Sequence, residues 1–147
     1  MTFKYKLQRV LDLREQELEK VKVKFQEAAM RVRETENKIK KNRQDQLDSQ
    51  RDLITQAGLS APLLYTNRLK YLKSQMAVLE EELIEAKEAL AFVRQEMLEA
   101  QQKMEALEKH KEKLKAEYDK AELKKEENDL NELALIMTRI KKENAEE

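Results

Sequence analysis

The sequence predicts an all-α fold, a long antiparallel two-helix coiled-coil hairpin with a C-terminal helical overhang, and three observations lead there. Charged residues make up 41% of the 147 positions, against roughly 25% in ordinary globular domains. Apolar residues recur at alternating steps of four and three in both halves of the chain, a spacing that keeps one helix face on a left-handed seam. The single Gly, Gly58, and the single Pro, Pro62, fall within five residues of each other, which marks the place where the chain reverses. Disordered chains also carry high charge, but they are rich in Pro and Gly and lack periodic apolar residues.

The whole chain, residues 1–147, is read as one coiled-coil domain. Its first helix is expected over residues 3–56. Leu7, Leu11, Arg14, Leu18, Val21, Phe25, Ala28, Val32, Thr35 and Ile39 form a strong stripe, and Asn42, Gln46, Ser49 and Leu53 extend it weakly. Leu47 and Ile54 stand one position out of register, which suggests a phase slip or a looser stretch before the turn. The turn is expected over residues 57–61. Gly58 suits a left-handed C′ position there, Ser60 suits an N-cap, and Pro62 suits the first turn of the next helix.

The second helix is expected over residues 62–145 with a cleaner stripe: Leu69, Leu72, Met76, Leu79, Leu83, Ala86, Leu90, Val93, Met97, Ala100, Met104, Leu107, Lys111, Leu114, Tyr118 and Ala121. Exposed pairs such as Glu27 with Arg31 and Glu105 with Lys109 favour helix, but each contributes only a few tenths of a kcal/mol, so the seam must supply most of the stability. A reversal near Leu59 sets residue i opposite about residue 118 minus i, so Phe3 meets the region of Lys115 and Leu7 that of Lys111. The helix beyond about residue 118 then has no partner from the first helix, an overhang of roughly 45 Å. A new register, Leu123, Leu130, Leu133, Met137 and Ile140, begins there. An apolar strip starting where internal pairing ends points to a binding surface for another molecule.

Composition excludes several classes of function. The 30 basic and 30 acidic residues cancel, leaving no net field to hold nucleic acid or an anionic membrane. No cysteine is present, so there are no disulfides or thiolate metal sites. His110 is the only histidine and has no neighbouring ligand set; it reads as an exposed helix position, and no metal, cofactor or catalytic residue is expected. One glycine cannot build a phosphate loop. The three seam methionines, Met76, Met97 and Met104, read as core filling. No apolar run reaches the length of a membrane span, and charges occupy the N-terminal stretch where a signal peptide would be apolar. The expectation is a cytoplasmic, non-enzymatic protein, monomeric when isolated, with no direct membrane insertion.

The opening segment, with Phe3, Tyr5, Leu7, Val10, Leu11, Leu13, Arg14 and Glu17, resembles the start of the FliJ family, the small coiled-coil component of the flagellar type III export apparatus. The length, the single break and the aromatic-rich stretch Tyr65 to Leu72 extend the resemblance over the whole chain. The family is similar to the central stalk of rotary ATP synthases. The resemblance implies that the paired termini enter the hexameric flagellar export ATPase, through Phe3, Tyr5, Leu7, Leu130, Leu133, Met137 and Ile140, and promote assembly of that ring. It also implies contacts with the cytoplasmic linker of the export gate and with export chaperones, through a patch early in the second helix, at the periphery of the inner membrane. Tyr71 matches the aromatic position of that patch. Gln75, Val78 and Glu82 occupy its following positions and depart from the apolar, small and histidine residues the family places there. A shorter arm of about 55 residues would span roughly 80 Å, enough to connect two separated machines. The stalk of a virulence type III secretion system and an intermolecular coiled-coil scaffold, in which Gly58 to Pro62 is only a kink, are the alternatives.

Overall fold

A computed structural model describes residues 2–146. Three helices follow in order: α1, Gln8–Leu53; α2, Gln56–Ser60; and α3, Pro62–Glu146. The two long helices pair as a helical hairpin. By their contacts the residues fall into two compact units: Gln16–Gln101, and the stretch up to Glu15 together with that from Gln102 onward.

Within Gln16–Gln101 the heptad stripe is the buried face. Leu18, Val32, Thr35, Ile39, Asn42 and Ser49 are buried, Ala86 is completely so, and the remaining seam positions are half-buried. Arg94 lies over the Phe25 ring, 5.9 Å from its centroid, beside the Val93 expected opposite Phe25. Asn42 Nδ2 donates to the Leu72 carbonyl at 3.0 Å, one helical turn from the expected Met76. These two cross-helix contacts join α1 to α3 as the arms of a hairpin.

The expected phase slip before the turn does not occur. Asn42 and Ser49 are buried and Gln46 is half-buried, whereas Leu47 is 50% and Ile54 80% exposed. Register therefore wins over residue hydrophobicity. Moving Leu47 inward would rotate the whole upstream stripe of Leu18, Val32 and Ile39 off the seam. The polar positions are satisfied unevenly. Gln46 donates to Asn42 Oδ1 at 2.7 Å and Thr35 to the Arg31 carbonyl at 2.8 Å, but Ser49 Oγ is buried without a hydrogen-bond partner.

The reversal differs from the expected open turn. Residues 57–61 are mostly helix α2, and the chain breaks on either side of it, at residues 54–55 and at Ala61. Ser60 is the last residue of α2 rather than a cap of the following helix; Thr55 is the N-cap of α2, and its Oγ1 accepts from Gly58 N–H at 3.4 Å. Ser60 instead donates to the Gln56 carbonyl at 2.9 Å. Pro62 opens α3, where its missing N–H leaves no bond unmade. Gly58 has no positive φ and is not a left-handed cap. It is required because a Cβ there would collide with the carbonyls of Asp52 and Leu53, so a glycine alone lets α2 fold back against the end of α1.

Two stability measurements follow. Gly58→Ala must push backbone against backbone and is expected to lower unfolding free energy by about 1–3 kcal/mol in urea denaturation; an unchanged midpoint would contradict this packing. Ser49→Ala removes a buried, unpartnered hydroxyl and is expected to stabilise by about 1 kcal/mol in the same assay. A loss would mean that the hydroxyl has a partner.

Candidate functional site

The unit formed by the chain ends is built on a short non-helical lead. Residues 2–7 are not helical, although the first helix was expected from residue 3. The chain turns into α1 through Gln8 N–H to the Tyr5 carbonyl at 3.2 Å and Leu11 N–H to the Leu7 carbonyl at 2.9 Å. In an extended segment alternate side chains share a side, and Phe3 and Tyr5 both turn onto α3. The Phe3 and Tyr118 rings are 5.5 Å apart at 49°. Tyr5 is 7% exposed; its hydroxyl lies 2.6 Å from His110 Nδ1 and donates to the Leu107 carbonyl at 3.4 Å.

This lead also explains where the overhang starts. Extended backbone advances about 3.3 Å per residue against 1.5 Å in helix, so Phe3 reaches Tyr118 rather than Lys115. The last half-buried residue of α3 is Glu122, and every described residue from Leu123 on is exposed, about a turn beyond the expected residue 118. Partial burial, then the Glu122 and Asp119 carboxylates, hold the Tyr118 phenol above its usual pKa of 10.0.

The seven residues proposed to meet an ATPase thus fall into two groups. Phe3 and Tyr5 close the open end, and with Leu7, His110, Leu114 and Tyr118 they line an open groove of about 600 Å³. Leu7 is 40% exposed. Leu130, Leu133, Met137 and Ile140 are each more than half exposed at steps of three, four and three, a single stripe along the free part of α3. The second patch lies in the other unit. Tyr71, Gln75, Val78 and Glu82 are all exposed and follow one face of α3, with Gln75 Nε2 donating to the Tyr71 hydroxyl at 3.2 Å. Tyr71 and Gln75 border a shallow groove with Lys38, Lys41 and Asp45.

Two residues have roles that the sequence did not disclose. His110, read as a plain exposed position, anchors the Tyr5 hydroxyl. Lys111, the charged exception in the second stripe, donates from Nζ to Gln8 Oε1 at 2.8 Å. The available signal was register, since the pairing rule puts Gln8 opposite His110, and two polar residues meeting at a seam end imply a bond.

Such an arrangement defines a class, the helical hairpin proteins whose exposed side chains lie along helix faces. Among the described residues no group of three or more His, Cys, Asp or Glu is placed to hold a metal ion, and no helix is long and apolar enough to cross a membrane. The family model described as flagellar FliJ protein matches residues 3–143, and the chain belongs to that family. No curated protein and no solved structure matches it. Membership makes it a component of the flagellar export apparatus, near the inner membrane, in a family of structural stalk proteins rather than enzymes.

The Tyr5–His110 contact is testable by a double-mutant cycle. Tyr5→Phe is expected to lower stability by about 1 kcal/mol, and His110→Ala to add little on that background, with a coupling above about 0.5 kcal/mol. Additive losses would contradict a shared bond.

Proposed function

We propose that this chain is the stalk of the flagellar export machine, which binds the export ATPase hexamer, promotes assembly of the ring and couples it to the export gate and its chaperones. The observation that carries this reading is the free end of α3. It displays Leu130, Leu133, Met137 and Ile140 on one stripe, each more than half exposed with no described residue of the chain covering it. A helix with one apolar face needs a complementary surface, and such a face is read by a groove as anchors three and four residues apart. Phe3, Tyr5 and Leu7 stand in the same unit. Phe3 and Tyr5 are largely engaged by Tyr118 and His110, so Leu7 is the residue of that trio best able to touch the ring, the other two shaping its support. The gate contact rests on Tyr71 and the exposed row that follows it. An aromatic anchor beside polar neighbours is a common centre for a protein contact, and Lys38 and Lys41 next to it favour an acidic partner surface.

The test is activation of purified export ATPase. The wild-type chain is expected to raise hexamer formation and hydrolysis. Leu133→Gln combined with Met137→Gln is expected to weaken that activation more than tenfold, because two exposed anchors each contribute on the order of 1–2 kcal/mol to binding. Its thermal melt should be unchanged, since neither residue packs within the chain. An ATPase that ignores the wild-type protein, or responds equally to the variant, would contradict the proposal.

A further inference from the structure

The tip of the hairpin has a composition unlike the rest of the chain. Between Asp52 and Arg68 there is no charged side chain, and from there to Glu80 the only charges are Arg68, Lys70 and Lys73, all basic. In a chain that is 41% charged with acids and bases in balance, this is a local exception. The apolar residues around its turn are not core. Ile54, Leu59, Leu63 and Leu64 are 80, 73, 72 and 67% exposed.

We propose that this tip is a docking surface for an anionic lipid bilayer. Three features select that occupant. The first is order along the chain: apolar side chains at the turn, then Tyr65, then Arg68, Lys70 and Lys73. An interface requires this sequence, with hydrocarbon at the acyl boundary, a phenol at headgroup depth and cations against lipid phosphate. The second is polar satisfaction. The hydroxyls of Thr55, Ser60 and Thr66 donate to the carbonyls of Asp52, Gln56 and Pro62 at 2.5, 2.9 and 2.7 Å, so they carry little unmet hydrogen bonding into an apolar medium. The third is charge placement. On α1, Arg51 is opposed by Asp48 and Asp52, whereas the first turns of α3 are purely basic, which gives the tip one lipid-facing side. A concave protein pocket would also accept the leucines, but it gives no reason for the purely basic row that α3 carries behind them. The contact is shallow, at headgroup depth, and no helix among the described residues crosses the membrane. It stands apart from ATPase binding, which uses the chain ends.

The experiment is flotation of the full-length chain with vesicles of phosphatidylcholine mixed with phosphatidylglycerol, against phosphatidylcholine alone, without ATPase. The wild-type chain is expected to float preferentially with the anionic vesicles and to be released by salt. Leu63→Gln with Leu64→Gln should lower partitioning more than about tenfold. Arg68→Gln and Lys70→Gln should lower it about fivefold each. Circular-dichroism melts should match wild type, because these side chains are exposed. Absence of flotation with anionic vesicles overturns the proposal and leaves the tip to a protein pocket. Equal flotation of wild type and the leucine variant overturns it as well.

Discussion

The constraint on which the structure depends is register: one stripe of side chains on α1 must face one stripe on α3 of the same chain. Leu11 and Leu18, each 3% exposed, contribute about 1.5–3 kcal/mol apiece by leaving water. An exposed ion pair of the Glu19–Lys22 kind, at 3.6 Å, contributes a few tenths. With energies in that ratio the surface follows the seam. Leu47 and Ile54 are left in solvent while Asn42 and Ser49 are carried inside, because a shift that served the first pair would expose the longer apolar run behind them.

The seam is therefore uneven. Around Leu18, Val32 and Ile39 it is apolar and holds by burial. Toward the tip, Asn42 bridges to the Leu72 carbonyl and Gln46 to Asn42, so that stretch holds by hydrogen bonds whose net worth is smaller but whose geometry tolerates only one alignment. Buried asparagines in coiled coils specify register at a cost in stability, and Asn42 is placed to do so beside a reversal built on Gly58. At the chain ends the apolar seam is replaced by aromatic and polar contacts from Phe3, Tyr5 and Gln8.

The heptad period made the helices and their facing stripes legible. From Leu69 to Tyr118 the stripe read from the sequence is the buried or half-buried face, and on α1 it holds from Leu11 to Leu53. What could not be read was local geometry. Gly58 and Ser60 carry the residue preferences of a cap and an N-cap, yet Gly58 serves close backbone approach and Ser60 ends α2, because steric fit between α2 and the end of α1 overrides propensity. The start of α1 was misplaced because an extended lead and a first helical turn have similar composition; only the Phe3–Tyr118 and Tyr5–His110 contacts distinguish them. Of the candidate site, the apolar stripe beyond Leu123 was visible as a change of phase, whereas the division of labour between buried Tyr5 and exposed Leu7 depended on the lead's conformation.

An end closed by its own residues and a helix face left exposed both follow from a second helix longer than the first. The account stands on intramolecular antiparallel pairing, which a distance between two exposed helix positions tests most directly. Spin labels at Lys20 and Glu99, in protein diluted with unlabelled chain, should report roughly 2–3 nm, the spacing of neighbouring helices plus label arms. A distance near 12 nm, that of an unbroken helix between the two positions, would contradict it.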